Sequence, residues 1–225
     1  MTEKNTLPTI AILGGTGKEG PGLAMRWASV GYKIIIGSRQ AEKAQATATE
    51  LNTRLGLQSV TGMENSPAAR VADICVLTVV QSAHQAVLES LREALQGKIL
   101  VDTTARVDFR NPKPPTPPAA ARLAQDLLGP GVRVVAAFQN VPTQVLKQNL
   151  GQSLNTDVLV CSDDLQAAQV VMQLAQAGGM RAFYAGNLEN AIVVEGLTSL
   201  LICVNAYYHI RTASIAITGL PVSSG

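Results

Sequence analysis

The sequence predicts an α/β fold, a doubly wound and mostly parallel sheet with a small helical C-terminal part. Three observations predict it. Short β-branched runs alternate with alanine- and leucine-rich segments of helical period. The runs are continuously apolar rather than alternating, as strands covered on both faces are. After Gly186 the strand pattern stops and only helical pattern follows.

In chain order, candidate strands lie at 9–13, 33–36, 74–79, 99–102, 132–136 and 158–161, with a further short one at 181–184. Helical patterns lie between them at 22–30, 41–55, 82–95, 119–128 and 165–177. Such alternation implies parallel strands joined by right-handed crossovers. The rhythm breaks twice. Residues 111–118 hold five prolines in eight positions, which excludes helix and central strand and predicts a stiff loop. From Asn190 to about Ile217 the chain reads as one long or two shorter apolar helices. We expect a Rossmann-type nucleotide-binding domain over 1–186 and a helical segment over 187–225.

Composition excludes several classes. The 225 residues are 47% hydrophobic and 15% charged, which suits one well-buried core. Eighteen basic against sixteen acidic residues leave a net charge of +2, no basis for a nucleic-acid or membrane-surface partner. Aromatic residues, at 4%, are too few for base-stacking platforms. Cys75, Cys161 and Cys203 are far apart and each sits in an apolar run, so they read as small buried hydrophobes in a reducing, cytoplasmic setting. The stretch Met1 to Leu7 is polar and lacks a secretory pattern. The charge-free stretch Gly196 to Ile210 is shorter than the roughly 20 apolar residues of a membrane span. It contains Thr198, Ser199, Asn205 and His209, and a buried helix is expected there.

Residues 9–20 read T-I-A-I-L-G-G-T-G-K-E-G, in which Gly15, Gly17 and Gly20 form G-x-G-x-x-G. That motif is weak alone. Here a strand precedes it, a helix follows, and a second strand completes a unit of about 30 residues. The expected roles are a tight turn at Gly15, backbone approach to a pyrophosphate at Gly17, and close helix packing at Gly20. The helix start then offers free N–H groups and a positive dipole end to the anion.

The second strand addresses the ribose. Sites for the unphosphorylated dinucleotide carry a carboxylate near its end, about 20 residues on. Here the strand ends Gly37-Ser38-Arg39, and no carboxylate appears until Glu42. Ser38 can donate to a 2′-phosphate, Arg39 can bind it with charge-assisted bonds, and Lys43 follows one helical turn later. NADP(H) is therefore the expected cofactor.

The reacting end should lie among Thr78-Val79-Val80-Gln81, Asp102-Thr103-Thr104 and residues 138–143, at the carboxyl ends of the strands. No nucleophilic triad, zinc spacing or close carboxylate pair is visible, so no catalytic side chain and no metal ligand is assigned. His84 and His209 read as structural, and Asp102 as a residue that caps the following loop. Hydride transfer between two redox rings needs contact and alignment, not an enzyme nucleophile.

At this point the sequence resembles a known family. The runs at 10–28 and 31–44, with A-D-I-C-V-L-T-V at 72–79, K-I-L-V-D at 98–102 and the proline-rich loop leading into A-A-A-R-L-A, resemble the NADPH-dependent coenzyme F420 reductases, also called F420H2:NADP oxidoreductases. The resemblance continues through 132–142, 157–164 and 188–201 and so covers nearly the whole chain. It implies hydride exchange between NADP(H) and the deazaflavin coenzyme F420. Thr16, Gly17, Lys18 and Glu19 would then sit on the pyrophosphate, with Ser38, Arg39 and Lys43 on the 2′-phosphate. Val79, Gln81 and Thr143 would lie near the nicotinamide half. A homodimer packed through the C-terminal helices is implied, with the deazaflavin beneath them. The chain departs from the family pattern at Val80 and Gln81, where a proline and an aromatic residue are common, at Gln139, and at Ile192, where members carry a cation. All four positions lie on the second-cofactor side. An NADPH-dependent reductase of a flavin or small imine, and a non-catalytic NADP-sensing module, stand as alternatives.

Overall fold

A computed structural model describes residues 7–220. The polar residues 1–6 discussed above, and residues 221–225, lie outside the described part.

Six parallel strands form the main sheet: β1 (Ile10–Leu13), β2 (Ile34–Ser38), β3 (Val60–Glu64), β4 (Ile74–Leu77), β5 (Ile99–Asp102) and β6 (Arg133–Ala136), in the order β3-β2-β1-β4-β5-β6. Alternate residues of β1 explain why the strands read as unbroken apolar runs. Ile10 and Ile12 pack with Leu23 and Trp27 on one face, while Ala11 and Leu13 pack with Leu77 and Leu88 on the other. Helices α1 (Gly20–Ser29), α2 (Ala41–Leu55), α3 (Asn65–Val71), α4 (His84–Leu91) and α5 (Ala120–Leu128) supply the covering layers. The chain winds outward from β1 to β3, then returns to β4 on the other side of β1, pairing Ile10 with both Ile34 and Ile74. That reversal opens a crevice at the carboxyl ends of β1 and β4, where ligands of such sheets bind.

Strands β7 (Asp157–Val160) and β8 (Arg181–Tyr184) form a second, two-stranded parallel sheet, with α6 (Leu165–Ala177) between them in sequence. An antiparallel bridge between Ala136 and Cys161 joins this sheet to β6. One long helix, α7 (Ala191–Tyr207), follows.

Several expectations are corrected. Strand β3 and helix α3 fall where no element was expected. Of the strand V-T-G-M-E only Val60 is buried, because β3 is the sheet edge, so its apolar signal is diluted. The expected helix at 82–95 is a 3₁₀ turn at Gln81–Ala83 followed by a shorter α4. The C-terminal helix ends at Tyr207, and 208–220 hold no further helix or strand. Nor is that helix buried: Val193 is 66% exposed and Leu200 55% exposed. By length and composition alone Leu188–Tyr207 is apolar enough to cross a membrane, with a mean hydropathy of 1.4. The single carboxylate of α7, Glu195, is nevertheless buried and paired with Arg106. Cys75 and Cys161 are buried as expected, their thiols pushed up by burial to about 12 and about 11, but Cys203 is exposed. His209 is exposed at the end of α7 with φ +54°, not deep in an apolar helix.

Arg26 fixes the loop beside the crevice. It is buried on α1, and its guanidinium donates to the carbonyls of Gly178 at 3.0 Å, Gln152 at 3.3 Å, Val145 at 3.4 Å and Gln148. Carbonyls rather than a carboxylate take its protons, and burial lowers its pKa.

Candidate functional site

The glycine loop leaves the end of β1 and is held from two sides. The Gly15 amide donates to the carbonyls of Ile12 (3.2 Å) and Gly37 (2.9 Å), and the Gly14 amide donates to Asn65 Oδ1 (3.0 Å). The left-handed residue of the turn is Gly14, with φ +71°, one position earlier than expected. Gly20 performs its expected role: a Cβ there would lie 2.6 Å from the Gly15 backbone, which cannot yield because it is the loop itself. Gly17 differs. A Cβ at Gly17 would meet nothing closer than the Gly14 carbonyl oxygen at 3.7 Å, an ordinary contact. The protein's own packing therefore makes no demand for glycine at 17, and the room it leaves faces outward. Thr16, Gly17 and Lys18 are exposed. Among the described residues the amides of Thr16, Lys18 and Glu19 have no protein acceptor, and no side chain caps α1. Free amides at a ten-residue helix start, with open space before them, fit a pyrophosphate.

At the end of β2, Ser38 is buried and its hydroxyl accepts from the Gln40 amide at 3.3 Å. Arg39 and Lys43 are exposed, and neither has a carboxylate partner among the described ion pairs. The strand register adds a residue that sequence order hid: Glu64 of β3 sits opposite Ser38 and is exposed. It adds an acidic neighbour to the strand end that carries Arg39 and Lys43.

On the other side of the switch, Thr78 Oγ1 donates to the Leu13 carbonyl (3.2 Å), Val79 lies against Gly14, and Gln81 is exposed where the 3₁₀ turn begins. Asp102 is wholly buried at the end of β5. Its Oδ1 accepts from the Thr104 amide (3.0 Å), the expected loop cap, while its Oδ2 lies 2.7 Å from His84 Nε2. Burial alone would lower the pKa of His84. The hydrogen bond and charge of Asp102, with Glu195 beyond, outweigh burial and the opposing charge of Arg106, and hold the imidazole above its ordinary value. Glu19 joins the same strand end, with Oε2 3.0 Å from Thr103 Oγ1. Burial raises its carboxyl to about 8, aided by Asp102 and opposed by the Thr103 hydroxyl. The fold thus gathers His84, Asp102 and Glu19 at one place, a grouping that residues 18 and 83 positions apart did not announce.

Phe138 to Thr143 close the crevice after β6. Phe138 is buried with φ +75°, an unusual conformation costing about 1–3 kcal/mol, and its ring meets the edge of Trp27 at 5.9 Å. Gln139 Nε2 donates to the Asp102 carbonyl (2.9 Å) and Asn140 Nδ2 to the Asp157 carbonyl (2.7 Å). Thr104 Oγ1, Gln139 Oε1 and Asn140 Oδ1 are buried without a protein partner. Each such orphan costs about 1–3 kcal/mol unless something binds it. Thr143 is partly exposed at the following turn. Helix α7 borders the site through Thr198 Oγ1, which donates to the Gln139 carbonyl at 2.9 Å.

Comparison with known proteins agrees with this geometry. The family model described as NADP oxidoreductase, coenzyme F420-dependent, matches residues 9–106, the span holding the glycine loop, β2 and the His84–Asp102 pair. The F420-dependent NADP reductase of Methanothermobacter marburgensis is 42% identical, covering 94% of this chain and 99% of that protein. That of Methanocaldococcus jannaschii is 39% identical, over 95% of this chain and 99% of that protein. A solved structure from Arthrobacter sp. FB24, a candidate F420-dependent NADP reductase, superposes with a TM-score of 0.78 at 25% identity, over 95% of this chain and 100% of that one. A shared phosphate loop alone would leave the C-terminal half unmatched. The likeness runs through it, and the chain belongs to the family of coenzyme F420-dependent NADP oxidoreductases.

Proposed function

We propose that this chain transfers hydride between NADP(H) and coenzyme F420, directly and without a covalent intermediate. The observation that carries the reading is the phosphate loop at the switch point: free amides and an unfilled Gly17, flanked by two unpaired cations on the β2 side. Bound NADPH supplies the hydride. The chain's own residues bind, orient and exclude water. Gly15, Thr16, Gly17, Lys18, Glu19 and Gly20 hold the pyrophosphate, mostly through backbone N–H groups. Ser38, Arg39 and Lys43 hold the 2′-phosphate. Val79, Gln81 and Thr143 line the nicotinamide half.

The division into a nucleotide-binding part, 1–186, and a helical part, 187–225, belongs to the same reading. The exposed apolar side chains of α7, Val193 and Leu200 among them, support packing against a second copy and over the deazaflavin. We place the protein in the cytoplasm, without nucleic-acid or membrane partners.

The test is spectroscopic. Mixing the protein with NADPH and oxidised F420 should bleach the deazaflavin absorbance, and NADP⁺ with reduced F420 should restore it. Failure in both directions, with NADPH demonstrably bound, would leave a flavin or imine reductase or a sensing module in its place.

A further inference from the structure

Glu19 is the one carboxylate within the glycine loop, and an ionised carboxylate beside a pyrophosphate repels it. The surroundings of Glu19 remove that charge. Thr103 Oγ1 lies 3.0 Å from Glu19 Oε2 and 3.0 Å from the Leu77 carbonyl oxygen. A hydroxyl has one proton, and a carbonyl can only accept. When Thr103 donates to Leu77, its contact with Glu19 is a hydrogen bond only if the carboxyl donates. A Thr103 hydroxyl that donates to Glu19 instead favours the ionised carboxylate, but burial, the largest influence, together with the neighbouring Asp102 carboxylate outweighs it and carries the group to about 8. The facing charged groups are few. Asp102 stands behind Thr103 on β5 and is itself bound to His84 of α4. Lys18 precedes Glu19 in the loop and is exposed, and Arg106, past the end of β5, is committed to Glu195.

We propose that Glu19 is a proton-carrying residue of the nucleotide site: NADP(H) binds the form in which its carboxyl is neutral, so that binding takes up a proton once the free protein has lost it. The inference rests on the NADP(H) reading above. Because the interaction is with the phosphates, it acts alike on the oxidised and reduced nucleotides. A proton belonging to the hydride chemistry would not.

The test is the dissociation constant of NADP⁺ and of NADPH, by calorimetry, from about pH 7 to about pH 9.5. Ionisation of the 2′-phosphate, near pH 6, lies below this window. For the native protein the affinity for both nucleotides should be flat to about pH 8 and then fall by up to about tenfold per pH unit. Titrations in buffers of different ionisation enthalpy should show uptake approaching one proton. In Glu19→Gln the affinity for both nucleotides should not change with pH across the range, whatever its value at neutral pH. Carboxyl ¹³C shifts of the native protein read the ionisation without any variant, and should show Glu19 neutral at pH 7. An affinity flat with pH, an unchanged slope in Glu19→Gln, or a Glu19 carboxyl ionised at pH 7 would each overturn the proposal while leaving NADP(H) binding intact. Failure to bind NADP⁺ at every pH would overturn both.

Discussion

Replacing Glu195 by alanine should destabilise the protein by about 3 kcal/mol. Glu195 is 1% exposed on α7 and accepts three hydrogen bonds, from the Arg106 amide (2.8 Å), Arg106 Nε (2.8 Å) and the Ala120 amide (2.9 Å). These bonds fasten α7 to both ends of the proline-rich loop. Removing one member of a buried pair costs about 3–5 kcal/mol, because the other charge and its donors are left without partners. The lower end applies here, since Arg106 keeps its bond to the Thr116 carbonyl (2.7 Å) and its side chain is 18% exposed. For a chain of this size, each kcal/mol moves the melting temperature by about 2–4 °C, so a fall of about 6–12 °C is expected. Urea unfolding followed by circular dichroism measures the free energy, and a thermal melt measures the shift. Glu195→Gln keeps an oxygen acceptor and should lose less. The variant should also raise the KM for F420 more than that for NADPH, because the loosened elements lie away from the phosphate loop. A loss below about 1 kcal/mol, within the range of ordinary surface substitutions, would refute this account of how α7 is held.

Two glycine variants should separate folding from binding. Gly17→Ala should unfold like the native protein yet bind NADPH at least about tenfold more weakly, since its Cβ makes only ordinary contacts within the protein and fills the space left for the nucleotide. Gly20→Ala should lose stability as well as binding, because its Cβ strikes the Gly15 backbone. His84 gives a pH signature. Its folded pKa lies above the unfolded value near 6.5, so its stabilisation is fully present below that pH and is lost as pH rises through the folded value. Unfolding free energies of the native protein and His84→Gln should therefore differ more at pH 6 than at pH 9, and a constant difference would contradict the pairing with Asp102.

The parts of the fold legible in the sequence are those with local causes. A strand, three spaced glycines, a proline-containing helix start and a second strand fall within about 30 residues, so the phosphate loop could be read directly. The continuous apolar runs of β1, β4 and β5 identified buried parallel strands, because both faces are covered by helices. Strand β3 was invisible because an edge strand needs little apolar surface, and with it went Asn65, whose side chain fixes the Gly14 amide, and Glu64, which the register sets beside Ser38. The Glu195–Arg106 pair joins positions 89 apart, and the Glu19–Thr103 contact positions 84 apart. No spacing rule connects them; only the strand order does. Helix α7 shows a different limit. Its residues are largely apolar, and hydropathy alone does not reveal whether such a helix is buried in its own domain or left with an open face.

Cofactor choice is the claim on which the others depend, and Arg39 tests it most directly. Dissociation constants for NADPH and NADH should be measured for the native protein and for Arg39→Ala. Loss of a charge-assisted contact to the 2′-phosphate should weaken NADPH by about 1.5–3 kcal/mol, or about 10- to 150-fold, and leave NADH within about twofold of its native value. Equal losses for the two nucleotides, or no loss for either, would show that the cations after β2 do not read the phosphorylated ribose.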